Sequence, residues 1–126
     1  MNVVKDFEEL KCWKATRQIT HEIYIVTREG KISKDFGMKD QIRRASLSTM
    51  NNIAEGFAKY SKKEFIRFLN ISQSSAAEVK SRLYLITDLN YIKEKKLTDL
   101  HQQVDSTRRL TRGLIKYLNQ RVDQKK

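Results

Sequence analysis

The sequence predicts an all-α protein, an antiparallel up-and-down bundle of four helices. Apolar and small residues recur at steps of three and four over long stretches, most plainly from Phe65 through Phe68, Ser72, Ser75, Val79 and Leu83 to Ile86. The 126 residues hold only four glycines and no proline, so little interrupts a helix. Alternating Val/Ile/Thr runs between turn signals, the mark of strands, do not occur. A chain of this length fits one domain, residues 1–126. Burying about two-thirds of its unfolded surface, it can build a core without disulfides or metals.

The first helix is expected over about residues 7–29. Asp6 caps it, Glu9 completes a capping box three residues on, and Gly30 suits the left-handed position beyond its end. Cys12, Ala15, Ile19, Ile23 and Val26 project onto one apolar face, while Leu10, Trp13 and Tyr24 lie on a second sector roughly 120° away, which suggests two kinds of contact. Cys12, the one cysteine, falls on the first face and reads as a buried, inert thiol. Residues 30–38 form a loop pinned by Ile32 or Phe36.

The second helix, about 38–58, turns Ile42, Ala45, Thr49, Ile53, Gly56 and Phe57 inward, with Gly56 a place of close packing. Arg44, Ser48, Asn51 and Glu55 follow at steps of four, three and four and line its opposite side. This ridge reads as a solvated face, as a buried polar seam that fixes register, or as a site built from Arg44, Asn52 and Glu55. One acid and one base on one helix define no reaction.

Ser61 and Glu64 form a second capping box, so a very short turn leads into the third helix, about 62–89, antiparallel to the second. Ser72, Ser75 and Ala76 sit in the middle of its inward stripe and let a neighbouring backbone approach. Ile71, Leu85 and Leu89 flank that stripe on one side, and Ile66 and Tyr84 on the other. That is more apolar circumference than one core uses, and it predicts self-association.

Asn90 suits a left-handed C-terminal position, Tyr91 and Ile92 make the turn, and the fourth helix runs over about 94–121. Its buried row is Leu97, Leu100, Val104, Thr107, Thr111, Leu114, Leu118 and Val122, and Gly113 within it marks a close contact or a bend. Arg109, Arg112 and Lys116 share the outer side, with Arg108 adjacent and Arg121, Lys125 and Lys126 beyond. Such a stripe is commonly a wet helix face. As a functional element it touches phosphates, each adding about 0.9 to the salt slope on duplex DNA.

The formal charge is +11, distributed as +1 over residues 1–36, +4 over 37–90 and +6 over 91–126. That excess points to polyanionic partners, RNA or DNA. No apolar run is long enough to span a membrane and no export signal opens the chain, so a cytoplasmic protein without a membrane partner is expected. His21 and His101 fall on different helices, no glycine-rich phosphate loop is present, and no carboxylate or histidine pair is set for acid–base work. The sequence therefore predicts no metal, no cofactor, no catalytic residues and no enzyme.

Gln41-Ile-Arg-Arg-Ala-Ser-Leu-Ser48, then Asn52-Ile-Ala-Glu-Gly-Phe57, Ser61, Lys63-Glu-Phe-Ile-Arg-Phe-Leu69 and Ser75-x-x-Glu78, together with the opening Phe7-Glu-Glu-Leu-Lys-Cys-Trp13, closely resemble the four-helix-bundle proteins encoded in intervening sequences of bacterial 23S rRNA genes. The resemblance covers nearly the whole chain. It departs where Met50 stands for a usual proline, Ser74 for a glycine and Val79 for a leucine. It implies a ring-shaped homo-oligomer, a pentamer, in a family with no established enzymatic activity. The related accessory variability proteins of diversity-generating retroelements are similar in size and charge, and imply a reverse transcriptase and nucleic acid as partners. Arg43, Arg44, Asn52 and Glu55 match the family's marked positions and, with Ser48 and Asn51, form a candidate oligomer seam.

The expectation is thus a non-catalytic, oligomeric bundle that binds RNA or DNA non-specifically through Arg108, Arg109, Arg112, Lys116, Arg121, Lys125 and Lys126. The alternative is a protein-interaction scaffold without a nucleic-acid role, using the spare apolar faces of the first and third helices.

Overall fold

A computed structural model describes residues 4–124, with side chains through Arg121. Four helices follow a short 3-10 turn at Phe7–Glu9: α1 (Lys11–Val26), α2 (Phe36–Ala58), α3 (Lys62–Asp88) and α4 (Glu94–Gln124). A second 3-10 turn, Lys31–Lys34, joins α1 to α2, and no strand occurs among the described residues. Each helix packs on its neighbour in sequence and α1 closes on α4, which makes the bundle.

The N-terminal capping box forms as expected: the Phe7 amide donates to Asp6 Oδ1 (2.8 Å) and the Asp6 amide to Glu9 Oε2 (3.2 Å). What it starts is one turn and not a helix running to residue 29. Leu10 is extended (φ −74°, ψ 128°) and buried, so the chain drops a side chain into the core before α1 begins at Lys11. The ring of Phe7 then meets Trp13 edge-on, with centroids 5.0 Å apart.

The far end of α1 also differs from expectation, stopping at Val26. Arg43 of α2 explains this: its Nε donates to Thr27 Oγ1 (2.8 Å) and its Nη2 to the Tyr24 carbonyl (3.3 Å), while the Thr27 hydroxyl donates to the Ile23 carbonyl (2.7 Å). One terminal carbonyl, that of Tyr24, is thus satisfied from a neighbouring helix, and that of Ile23 by the Thr27 side chain just past the helix end, where glycine geometry was expected. Gly30 does take a positive φ (74°), but with ψ −166°, and it leads into the second 3-10 turn. That turn buries Ile32 completely, whereas Phe36 is 71% exposed, so Ile32 alone anchors the connection. Asp35 caps α2 two residues earlier than expected, its Oδ1 accepting from the Met38 amide (3.2 Å).

Ser61 caps α3, accepting from the Glu64 amide (3.3 Å), but the box is half formed because Glu64 turns to Arg67 instead, with both bonds 3.1 Å. Asn90 adopts φ 56° with its amide on the Thr87 carbonyl and that of Tyr91 on Ile86, the paired bonds of a Schellman stop. The Tyr91 hydroxyl donates to Asp35 Oδ2 (2.9 Å), tying the two connections at that end together.

Two apolar clusters fill the interior. One holds Ile19, Ile23, Ile32, Ile42, Val79, Leu83, Ile86, Leu97 and Leu100; the other holds Leu10, Cys12, Ile53, Leu69 and Leu118. Buried hydroxyl residues from every helix accompany them: Thr16, Thr20, Ser46, Thr49, Ser72, Ser75, Thr107 and Thr111. Most bond back into their own helix, and three reach across. Thr20 lies 3.0 Å from the Ser46 carbonyl, Ser72 donates to the Thr49 carbonyl (2.8 Å), and the Ser48 and Ser75 hydroxyls share a bond of 2.7 Å. Short side chains let helix backbones approach while each hydroxyl keeps a partner.

Gly113 has nothing within 4 Å of where a Cβ would stand, which corrects the expected close contact there. A helix-interior glycine in open space carries only its entropic cost. Gly113→Ala is therefore expected to raise the unfolding free energy by about 1 kcal/mol, read as a higher midpoint in urea; an unchanged or lower midpoint would contradict it.

Candidate functional site

The outer face of α4 carries the basic stripe, and the structure brings part of it together. Arg108, Arg109 and Arg112 line one depression of about 270 Å³ beside Asp105. Asp105 is already engaged by Lys80 of α3 (2.9 Å), and no described carboxylate forms an ion pair with the three arginines or with Lys116. Arg109, Arg112 and Lys116 are exposed, while Arg108 is half-buried with its carbonyl accepting from Gln73 Nε2 (3.0 Å). Arg121 stands further along, its guanidinium 5.8 Å from the centroid of Tyr117. Lys125 and Lys126 lie outside the described residues, as does the side chain of Val122.

Gln73, Lys80 and Asp105 set the α3–α4 edge of this face, and sequence reasoning did not single them out. Each is one polar residue on an amphipathic helix, and only the packing of α3 on α4 pairs them. His101 lies on the same seam, its ring 4.6 Å from that of Tyr84. Burial, with the nearby Lys80 charge, holds its imidazole below the usual histidine range.

The ridge on α2 assembles as a second polar surface. Arg44, Ser48, Asn51, Asn52 and Glu55 line a broad depression of about 620 Å³. The Asn52 amide donates to the Ser48 carbonyl (2.8 Å) and hydroxyl (2.9 Å), and Arg44 pairs with Asp40 on its own helix (2.8 Å). An adjoining depression between α2 and α3 adds Gln41, Ser75, Glu78 and Arg82, with Arg82 on Glu78 (3.2 Å) and Gln41 (3.1 Å). Arg43 is not part of this surface, since it faces α1. Arg44, Asn52 and Glu55 do share a depression, but nothing there forms an acid–base pair: Asn52 is spent on Ser48, Arg44 on Asp40, and Glu55 is exposed.

The second sector of α1 is not spare surface, contrary to expectation. Trp13 packs on the Leu10 cluster under Phe7 and Arg17, and the Arg43 guanidinium covers the Tyr24 ring at 4.4 Å. Ile66 packs on the same cluster as Trp13. The exposed large apolar residues of α3 are Ile71, Tyr84 and Leu85, with Leu89 at its C-terminal cap.

Cys12 is buried, and burial pushes its thiol up to about 11. Thiolate is the reactive form, so iodoacetamide is expected to modify Cys12 in denaturant and to leave it untouched in native buffer at about pH 8. Full alkylation of the native chain within minutes would contradict this. Among the described residues, no group of three or more His, Cys, Asp and Glu could hold a metal ion, and no helix is long and apolar enough to cross a membrane.

A family model, that of the 23S rRNA-intervening sequence protein, matches residues 8–113. The chain belongs to this family. The crystal structure at 1.70 Å of a protein with unknown function from the S23 ribosomal protein family, from Bacteroides thetaiotaomicron VPI-5482, superposes with a TM-score of 0.77 at 24% identity. The likeness covers 83% of this chain and 95% of that one, and at this identity it speaks to the fold. No curated protein matches the chain. Neither the family nor the structural relative indicates an enzyme class. The matched segment of this intervening-sequence protein ends at Gly113, so Lys116 and Arg121 of the basic stripe lie beyond it.

Proposed function

We propose that this intervening-sequence protein is a non-catalytic, cytoplasmic helical bundle that binds RNA or DNA without strong sequence preference through the outer face of α4. The carrying observation is the set of Arg108, Arg109, Arg112 and Lys116, none in an ion pair among the described residues, on a chain of net charge +11. Unpaired guanidinium groups at a surface are matched to phosphate oxygens in charge and geometry. Assembly into a ring-shaped homo-oligomer, a pentamer as the family resemblance implies, would set several such faces side by side and multiply weak contacts. A reverse transcriptase remains a partner suggested by the retroelement relatives.

The test is the affinity of a labelled RNA measured across salt concentrations. A log–log slope of about −0.7 to −0.9 per phosphate engaged is expected, and affinity that ignores salt rules the reading out. Light scattering at micromolar concentration tests the assembly, and a monomeric mass removes it. A scaffold role is the second reading, favoured by the exposed Ile71 and Leu85 on α3 and Leu89 at its cap. Capture of a protein partner that survives nuclease treatment, and is lost on Leu85→Ser in a folded chain, would support it over the first.

A further inference from the structure

Among the described residues, two that are not glycine take a positive φ, Tyr60 (54°) and Asn90 (56°), each just past a helix end. Asparagine suits this conformation because its short amide can bond locally, whereas a tyrosine there carries a steric penalty that glycine avoids. The amide of Tyr60, bonded to the Phe57 carbonyl (3.4 Å), needs no ring to make that bond. Nor does the ring help the core, being 93% exposed, and its hydroxyl makes no hydrogen bond among the described residues. Neither conformation nor packing accounts for an aromatic residue here, so its contact is sought outside the chain.

The surroundings indicate which contact. Lys59 and Lys63 flank Tyr60 in sequence, both exposed and neither in an ion pair among the described residues, with the Lys59 ammonium 5.5 Å from the centroid of the Phe68 ring. The nearest acid in sequence, Glu64, is held by Arg67 through two bonds of 3.1 Å. Residues 59–67 carry four basic groups against that one acid. An open aromatic face with exposed cations one residue before it and three after it in sequence suits single-stranded nucleic acid, a base stacking on the ring and flanking phosphates meeting the charges. A duplex hides its base faces, and one phenol beside Ala58 and Ser61 offers too little apolar area to hold a membrane.

We propose that the α2–α3 turn is a docking point for an unpaired nucleotide, with Tyr60 stacking on the base and Lys59 and Lys63 meeting the phosphates on either side. This rests on the nucleic-acid reading above and adds to it a second contact region with a preference for single strands.

Tyr60→Gly removes the ring and relieves the backbone, so the variant is expected to melt at least as high as the parent chain while binding a labelled oligo(U) about tenfold more weakly. Tyr60→Phe keeps a stacking face and restores affinity to within about twofold. Binding of an RNA duplex of equal length does not change in either variant. The proposal is overturned if Tyr60→Gly binds oligo(U) like the parent, if it loses duplex and single strand equally, or if the variant loses only binding to anionic vesicles. A parent chain that binds neither nucleic acid at low salt ends both readings. Parent binding to both, with Tyr60→Gly changing neither, ends this one alone.

Discussion

Gly56→Ala lowers the unfolding free energy by about 2 kcal/mol, the net of an overpacking cost of about 3 and a helix-propensity gain of about 1. The Cβ added at Gly56 would stand 2.6 Å from Phe68 Cβ, 3.1 Å from Phe65 Cδ1 and 3.4 Å from the Phe65 carbonyl oxygen. None of these is the free end of a flexible chain. Phe68 Cβ is fixed to the α3 backbone, and the Phe65 ring is held edge-on against Phe57 at 5.7 Å. Relief comes from α2 and α3 moving apart, which opens the cluster around Ile53 and Leu69. For a chain of 126 residues the loss corresponds to a melting point lower by about 8 °C, measurable by circular dichroism. A variant that melts with the parent chain would show that the two helices do not meet this closely. Gly113→Ala supplies the internal comparison, because the same substitution in the same kind of helix has the opposite sign where nothing faces the new methyl.

Reversing the α4 stripe in one variant, Arg109→Glu with Arg112→Glu and Lys116→Glu, is expected to weaken RNA binding on the order of a hundredfold or more at about 50 mM salt and to shrink the salt slope by about two to three. All three side chains are exposed and free of ion pairs among the described residues, so surface substitution there shifts stability by about 0.5 kcal/mol per position or less. The variant therefore separates charge from folding. Loss of affinity with an unchanged melting curve places phosphate contact on this face. Unchanged affinity moves the contact elsewhere, whatever the net charge of the chain. A scaffold role through Ile71, Leu85 and Leu89 is untouched by this reversal, so partner capture should survive it.

Much of the architecture was legible because helix formation is governed by residues three and four apart. Most of the inward rows of α2, α3 and α4 read from periodicity are buried, from Ile42 and Ile53 to Val79, Leu83, Leu100 and Val104, while Phe57, Phe65 and Leu114 are half-buried. Asn90 and Ser61 stop and start helices by bonds within a turn of themselves, and both were visible in the sequence. The basic stripe was visible for the same reason, since residues 109, 112 and 116 share one side of any regular helix.

Tertiary structure decided what depends on a facing group. Leu10 interrupts the first helix because the Leu118 and Ile53 cluster receives it, and α1 ends at Val26 where Arg43, seventeen residues on, reaches the Tyr24 carbonyl and the Thr27 hydroxyl. Thr16, Thr20 and Ser46 look like surface polar residues in a hydropathy pattern, yet are buried where neighbouring helices come close. Trp13 and Tyr24 lose their apparent freedom to Phe7 and Arg43 in the same way. A sequence read alone yields which residues share a helix face, since that follows from local geometry. Which faces meet, and which unpaired charge is left outside, follows only from the long-range contacts that set the energy of each buried group.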